Sequence, residues 1–412
     1  MRLTHLSLHN FRNYVRLDLD LEPGVTLLVG DNAQGKTNLL EAVFYLATSR
    51  SPHAGADREI VNWLVTEQEP LPYTRLVGRV ARGSSELGIE ITLVQHENNN
   101  DRYRKQIQIN GVAKRAMDLL GQLNVVLFLP QDIDLISGSP GGRRRYLDVT
   151  LCQVAPTYCR SLSRYNQILS QRNALLRDLR ERGGGSPEQM AFWDGQLVEH
   201  GTRLVAGRRE ALEGLGALAR GVHRELTAGE ERLDVSYEPS LEIAGCGTEA
   251  QIEAAFRNQL ASLRRREMAA GMTLVGPHRD DVRFVVDDMD AGVYGSRGQQ
   301  RTIALALKLA EVECMNRRTA EQPVLLLDDV LSELDAHRRA FLMHALENGP
   351  QQSILTTTDL HTLPAAFLRR CALWRVEMGR LREIGAGEAA AHHGDTESAE
   401  NTWSAGGLSA SP

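Results

Sequence analysis

Eight residues, Gly30–Thr37 (GDNAQGKT), constrain this chain more than any other stretch. They fit G-x-x-x-x-G-K-[ST], a loop whose backbone N–H groups cradle phosphates. Glycine at 30 and 35 lets the main chain take turns that a Cβ resists and come close to a phosphate. Lys36 would reach the β- and γ-phosphates as a point charge, and Thr37 would offer its hydroxyl to Mg2+. The flanks agree: Val25–Val29 (VTLLV) reads as a buried strand and Asn38–Leu46 (NLLEAVFYL) as a helix. The helix N-terminus suits an anion, so Gly30, Asp31, Asn32, Ala33, Gln34, Gly35, Lys36 and Thr37 are read as one nucleotide cradle. Chance alone gives roughly 0.01 such matches in a chain of this length. By itself the loop implies a bound triphosphate in an α/β setting.

The chain of 412 residues is long enough for about two or three domains. Its 42% hydrophobic and 24% charged residues suit a soluble globular protein with a sizeable core. No apolar run approaches the ~18 residues of a membrane span, so no membrane role is expected. The N-terminal MRLTHLSLHNF alternates apolar and polar residues and lacks the apolar core of a secretory signal. Cys152, Cys159, Cys246, Cys314 and Cys371 form no C-x-x-C pair; buried free thiols in a reducing cytosol are expected. A net charge of −6 argues against nucleic-acid binding over the whole surface and leaves room for a local basic face.

Taken in order, Met1–Leu21 alternates on both sides of Asn10–Tyr14 (NFRNY), predicting a pair of strands. Ser49–Asp57 reads as a loop. Tyr73–Gln95 and Tyr103–Val112 predict antiparallel strands, with turns at His96–Arg102 and Asn110–Gly111. Asn124–Leu129 (NVVLFL) is a further buried strand, ending at Pro130–Gln131–Asp132. A polar residue past the end of a core strand is where open α/β sheets place ligand contacts. Gln131 is thus a candidate for Mg2+ or for the attacking water. From Arg143 to Arg266 helical periodicity takes over. Leu162, Tyr165, Leu169, Leu176 and Leu179 share one face, and Trp193, Leu197, Leu204, Leu212 and Leu215 another, with Gly183–Pro187 as the turn between. These stripes read as core packing in a stubby arm, too short for an extended coiled coil. Strand patterns return from Met272. A helix is predicted from Gln300 to about Arg317, core strands at Pro323–Leu327 and Ser353–Thr356, and a closing hairpin at Leu373–Val376 and Leu381–Ile384. The tail past Gly385 has little to bury and is expected to be disordered, and its His392–His393 pair is read as solvated.

Two further motifs join the loop. Val324–Asp329 (VLLLDD) is a Walker B strand: Asp328 would hold Mg2+ opposite Thr37, and Asp329 would orient or deprotonate the attacking water. Most of the chain lies between Lys36 and Asp328, so the helical block reads as an insertion into one ATPase domain. Ser296–Arg301 (SRGQQR) opens a helix just upstream of the Walker B strand. Ser296 can cap it, Gly298 allows close approach, and with Gln299 they form a second anion site. Because one copy already has its P-loop on the phosphates, this cradle is read as serving the nucleotide of a second copy.

The order of P-loop, Gln131, the Ser296–Gln300 signature, Asp328–Asp329 and Ser332–Asp335 (SELD) resembles the ABC-type ATPase head. NFRNY, the inserted arm and DDVLSELD resemble its SMC-like branch. GSPGGRRRYLD (Gly138–Asp148), GPHRDD (Gly276–Asp281), SRGQQRT and TTTDL (Thr356–Leu360) resemble the RecF family of bacterial recombinational repair, over residues 1 to about 385. The implied fold is an α/β ABC-type P-loop head with an antiparallel β flank and an inserted helical arm. Residues 1–142 and 271–385 would form the head, 143–270 the arm and 386–412 the tail. The resemblance implies ATP and Mg2+, weak DNA-stimulated hydrolysis, and head-to-head dimers with ATP at the seam. It also implies DNA at single-strand/double-strand junctions and gaps, work with RecO and RecR to load RecA, a place in the SOS response and replication, and a nucleoid-associated cytoplasmic location. In that scheme Gly30–Thr37, Gln131, Asp328 and Asp329 act in cis, Ser296, Gly298 and Gln299 in trans, and Asp335 lies at the seam. Two departures stand out: Arg297 replaces a signature glycine, and Thr358 stands where transporters carry histidine, which suggests slow turnover.

Cations for DNA are Arg102, Arg104, Lys105, Lys114 and Arg115 on the β flank, Arg143–Arg145, and Arg264, Arg265 and Arg266. Each cluster is open to a second reading as a solvated face or salt-bridge network, and Arg143–Arg145 to one as packing that supports the nucleotide site. Few aromatics accompany them, so backbone and shape recognition is expected. A transporter-type ATPase subunit and a P-loop kinase are the competing classes. The inserted arm and Thr358 speak against the first, the signature and the long insertion against the second.

Overall fold

A computed structural model describes residues 1–68, 72–96, 99–182, 187–349 and 351–385. Residues 183–186 of the expected turn and the whole expected tail lie outside them. The chain forms two compact units. The first comprises Met1–Lys114, Leu127–Pro130 and the chain from Pro323 onward; the second comprises Arg115–Val126 and Gln131–Gln322.

Period-2 sequence builds the first unit's antiparallel sheet. Its strands run Tyr14–Asp20, Arg2–Phe11, Tyr73–Arg82, Ser85–His96, Asn99–Ile109 and Val112–Lys114 in spatial order. Leu6 lies opposite Leu19 and Gly78, and Leu8 opposite Leu17 and Leu76. Leu3, Leu6 and Leu8 are fully buried, as alternation toward one core face requires. Phe11 pairs with Tyr14 across the NFRNY turn. The fifth strand begins at Asn99 rather than the expected Tyr103, so the polar NNDR run is strand. Four consecutive polar residues carry no apolar alternation, so the sequence does not mark them as strand.

The second sheet holds the motifs. Its order is Arg380–Glu383, Cys371–Glu377, Val25–Val29, Ser353–Thr357, Val324–Leu327 and Val125–Phe128. Val25–Val29 lies parallel to both Ser353–Thr357 and Cys371–Glu377. Every residue of Val25–Val29, Val324–Leu327 and Ser353–Thr357 is buried, the signature of parallel strands covered on both faces. The closing hairpin forms as the sequence predicts.

Helices dominate the second unit: Pro140–Val154, Pro156–Glu181, Pro187–Leu226, Glu249–Ala270 and Arg297–Thr319. Three open on proline, where the missing N–H would have no partner anyway. Tyr165, Leu176, Leu179, Leu197, Leu204, Leu212 and Leu215 are buried, so the stripes are core. The helical block is not all helix, however. Leu233–Glu238 is a strand, antiparallel to Asp281–Val286 with Val235 opposite Phe284. Its alternation is only six residues long and lies between long helices, so it is hard to read. Cys152 and Cys159 are buried as expected, whereas Cys246, Cys314 and Cys371 are only partly so; all five are free thiols.

Candidate nucleotide site

The P-loop turns from strand Val25–Val29 into helix Lys36–Thr48. Gly35 caps that helix at φ 116°, a conformation that favours glycine. A Cβ there would also come within 2.5 Å of the Asn13 amide. At Gly30 a Cβ would strike the Val376 carbonyl oxygen, so this glycine has a packing reason besides any approach to phosphate. Asp31, Asn32 and Ala33 are exposed. Lys36 is buried and folds back over the loop, its Nζ donating to the carbonyls of Gly30 at 2.5 Å and Asp31 at 2.8 Å. Burial pushes the Lys36 ammonium down, while Asp329, Asp328 and Asp31 pull it back up. Its charge is within the loop that an anion would enter.

Short contacts brace the loop from both sides. Asn13 Nδ2 donates to the Gln34 carbonyl at 2.8 Å, and Asn38 Nδ2 donates to Asn13 Oδ1 at 2.8 Å. Tyr14 donates its hydroxyl to the Gly35 carbonyl at 2.9 Å. From the closing hairpin, the Met378 N–H reaches Gln34 Oε1 at 2.7 Å and the Gly379 N–H reaches the Gln34 carbonyl at 3.0 Å. Arg12 grips the buried Glu41 of the P-loop helix through two N–H groups at 2.8 and 2.7 Å. Sequence reasoning read NFRNY as a turn and a family mark; its role as the loop's brace went unseen. The motif itself was the available signal.

Across the sheet, Thr37 Oγ1 lies 2.9 Å from both carboxylate oxygens of Asp328. Thr356 Oγ1 donates to Asp328 Oδ1 at 2.8 Å and accepts from the Asp329 N–H at 2.9 Å. Thr356 therefore sets both acidic residues, and TTTDL was its signal. Asp329 takes a left-handed φ of 48°, and its Oδ1 is buried with no hydrogen-bond partner. Burial raises the Asp329 carboxyl, with Ser332 and Lys36 pulling it down and Asp328 pushing it up. A hydroxyl and a carboxylate side by side are the hard oxygen donors Mg2+ prefers. An orphaned carboxylate oxygen close by is one a water could satisfy. The donor set fits a magnesium nucleotide.

The signature lies in the second unit. Ser296 caps helix Arg297–Thr319, accepting from the Gln299 N–H at 3.2 Å, while Gln299 Oε1 accepts from the Ser296 N–H at 2.9 Å. Gln299 also donates to Glu231 at 2.9 Å. Ser296, Arg297 and Gly298 are exposed, and a Cβ at Gly298 would meet nothing nearer than Ser296 Oγ at 3.9 Å. Gln131 is exposed on the turn Pro130–Ile133 and belongs to this second unit. Thus Lys36, Thr37, Asp328 and Asp329 converge within the first unit, and Gln131, Ser296, Gly298 and Gln299 stand in the other. Asp335 caps helix Ala336–Asn348 through the Arg338 N–H at 2.9 Å. Thr358 is exposed just past strand Ser353–Thr357.

Several of the candidate DNA cations have internal partners. Lys105 donates to the Ser49 carbonyl at 2.7 Å, pairs with Asp57 at 3.0 Å and lies over the Tyr45 ring. Arg264 pairs with Asp194 at 2.7 Å. Arg143 pairs with Asp281 at 2.6 Å, and Arg144 donates to the Asp280 carbonyl at 2.6 Å, so both brace GPHRDD within their own unit. Arg104, Lys114, Arg265 and Arg266 are exposed, as is Arg115, 3.3 Å from Asp118. The Arg102 side chain lies outside the described residues.

The family model for the RecF/RecN/SMC N terminal domain matches residues 2–371. The chain is 45% identical over 393 residues to the DNA replication and repair protein RecF of Roseiflexus castenholzii, covering 92% of this chain and 99% of that one. It is 46% identical over 390 residues to the protein of the same name from Chloroflexus aurantiacus, with the same coverage. A solved structure of the recombination mediator protein RecF with ATP, of the RecFOR pathway, superposes at a TM-score of 0.82 and 32% identity over 93% of this chain and 97% of that one. The Smc head domain of Pyrococcus furiosus superposes at 0.51 and 13% identity over 96% of this chain and 99% of that one, a likeness of fold alone. With the P-loop, the Walker B pair and the signature helix in this arrangement, the chain belongs to the RecF family, on the ABC-type ATPase fold of SMC heads.

Proposed function

We propose that this protein is an ATP-switched DNA-binding factor of recombinational repair and replication-fork maintenance. In this reading two copies close head to head on ATP and clamp gapped or junction DNA. With RecO and RecR they help load RecA, and slow, DNA-stimulated hydrolysis resets the pair. The protein would act in the cytoplasm, on the nucleoid. The observation that carries the reading is the Thr37–Asp328 contact at 2.9 Å, which sets a P-loop hydroxyl against a Walker B carboxylate. The names of the relatives and the RecFOR context of the solved ATP complex support the biological setting. Among the described residues no helix is long and apolar enough to cross a membrane.

When bound, magnesium ATP supplies the scissile γ-phosphate and a divalent charge beside it. Gly30–Gly35 offer backbone N–H groups to the phosphates, and Lys36 leaves its two carbonyl partners to pair with them. Thr37 and Asp328 hold the cation, with Gln131 as a further ligand or a guide for water. Asp329, its carboxyl raised and one oxygen unpartnered, orients or deprotonates that water. Ser296, Gly298 and Gln299 meet the phosphates of the other copy, and Asp335 sits at the seam. The exposed cations Arg104, Lys114, Arg115 and Arg265, with Arg102, serve the DNA backbone; Lys105 and Arg264 do so only by leaving their present partners.

The test is ATP hydrolysis against protein concentration, with and without gapped DNA. Half a site per copy makes specific activity rise with concentration, and DNA raises it further. Flat specific activity with no response to DNA would mean a complete site in each chain and would remove the clamp.

A further inference from the structure

The second unit carries a groove that the nucleotide chemistry does not use. It encloses about 550 Å3 between helix Pro187–Leu226 and strand Leu233–Glu238 with the chain that follows the strand. Its floor is Leu212, Leu241 and Ile243, all buried. Leu212 packs in one hydrophobic cluster and Leu241 and Ile243 in another, so the groove follows the seam between two cores. Its walls are pinned. Tyr237 donates its hydroxyl to Asp280. The Ser240 N–H donates to Asp280 Oδ1 at 2.8 Å, and the Ser240 hydroxyl donates to the Gly276 carbonyl at 2.9 Å. Arg209 ties the far end of the loop to the helix, donating to the Cys246 carbonyl at 2.5 Å. A pre-formed cleft of this size with an apolar floor suits a ligand.

Two features say what fits. Val235, Ser236 and Tyr237 all line the groove. Successive side chains of a strand point to opposite faces, so a groove that meets three in a row runs along the strand's edge. In its sheet that strand stands last, paired with Asp281–Val286 on one side. At its start the other side faces the helix: Arg220 donates to the Leu233 carbonyl at 3.3 Å, and a Cβ at Gly216 would come within 3.4 Å of the Val235 carbonyl oxygen. By the two-residue period the Tyr237 backbone turns the same way, and there the groove opens. The second feature is charge. Glu213 on the helix and Glu242 on the loop stand exposed on two walls, whereas the lining's cation, Arg209, is turned to the Cys246 carbonyl. The geometry points to a docking groove for an extended segment of another protein, its apolar side chains spaced by lysine or arginine. The backbone of that segment pairs with the strand edge at Tyr237. Its apolar side chains lie over Leu212 and Leu241, and its cations meet Glu213 and Glu242. This surface is separate from the two-copy reading and does not depend on it.

The test uses the full-length chain and fluorescence anisotropy with a labelled peptide, Lys-Val-Lys-Leu-Lys-Val-Lys. A second probe carries proline for both valines, which keeps the charge but cannot pair as a strand, and a third carries glutamate for every lysine. The first peptide should bind, and the other two at least about tenfold more weakly. Glu213→Lys combined with Glu242→Lys, both at exposed positions, should weaken the first peptide by at least about tenfold. Ala244→Trp, at an exposed position of the lining, narrows the groove without altering its charge and should weaken it by a similar factor. ATP hydrolysis should stay within about twofold in both variants, since none of these residues belongs to the nucleotide site. Equal binding of the proline probe, or unchanged binding by both variants, means adhesion to a chain of net charge −6 and overturns the inference. Failure of the unaltered protein to bind the first peptide overturns it as well. Sedimentation without nucleotide closes the remaining route. Self-association that the double charge reversal removes would make a second copy the occupant, and the assignment to another protein would fall.

Discussion

The two compact units are held by different kinds of polar contact. Around the P-loop, neutral side chains and backbone groups do most of the bracing: Asn13 and Tyr14 reach the carbonyls of Gln34 and Gly35, and the Met378 N–H reaches Gln34 Oε1. Arg12 adds an ion pair to the buried Glu41. In the second unit two arginines lie in the core. Arg172, fully buried, donates to Asp194 at 2.8 Å, Thr273 at 2.8 Å and Glu267 at 2.6 Å. Arg208 reaches Asp148 at 2.8 Å, the Pro277 carbonyl at 2.6 Å and Tyr158 at 3.0 Å. The difference follows from the task. A loop that must admit a highly charged ligand can be braced by neutral groups, which leaves the Lys36 ammonium for the ligand. A scaffold that must hold long helices can use buried charges, provided each is fully satisfied.

The largest effect should come from breaking the scaffold. Arg172→Ala leaves Glu267, itself fully buried, without its cation. Removing one member of a buried pair costs about 3–5 kcal/mol. Urea unfolding of the purified protein should show a loss of that size, with far-UV circular dichroism reporting early melting of helix. A loss under about 1 kcal/mol would mean that the network relaxes and that the contrast between the units is overstated.

Next in size is the ligand loop. Lys36→Met keeps the stem and removes the ammonium. ATP affinity should fall about 100-fold, the loss of one or two charge-assisted hydrogen bonds, and ATP-dependent dimerisation should disappear. The unfolding midpoint should barely move, since the ammonium's partners, the Gly30 and Asp31 carbonyls, lie on an exposed loop. Binding within about threefold of wild type would place the phosphate elsewhere. Arg172→Ala and Lys36→Met thus separate cleanly: stability falls with binding little altered per folded molecule in one, and binding falls without stability in the other.

This contrast also explains what could be read from the sequence. Phosphate chemistry needs its groups within a few residues, so Gly30–Thr37, Asp328–Asp329 and the Ser296 cap were legible as short strings, and the apolar strands carrying them came along. Arg172 and its partners Thr273 and Glu267 are 101 and 95 positions apart, and no local pattern marks such a charge as buried. The braces fall between these cases. Asn13 and Thr356 sit in strings the sequence displayed, NFRNY and TTTDL, but their targets lie in other motifs and emerge only when the strands pair. Lys105 and Arg264 show what charge patterning alone leaves open: each has an internal partner, Asp57 and Asp194, that no local string displays.

The smallest effect sharpens the contrast through pH. His278, in the GPHRDD stretch of the second unit, is held neutral, its pKa lowered from 6.5 to about 4. Burial is the main cause, the Thr273 carbonyl pulls the other way, and the cations Arg279, Arg144 and Arg172 lower it further. Its Nδ1 shares a hydrogen with the Tyr165 hydroxyl at 2.7 Å. The unfolded chain takes up a proton below about pH 6.5, and the folded chain refuses it until about pH 4. Stability therefore stays level above pH 6.5 and declines as pH falls between those values. At pH 5 this one group should account for a loss of about 2 kcal/mol relative to pH 7. His278→Asn, which keeps a polar partner for Tyr165 and cannot titrate, should flatten that part of the curve in urea titrations at pH 7, 6 and 5. An unchanged slope in the variant would assign the acid sensitivity to the carboxylates around Arg172 and Arg208. The scaffold's pH response would then come from its ion pairs and not from the histidine packed among them.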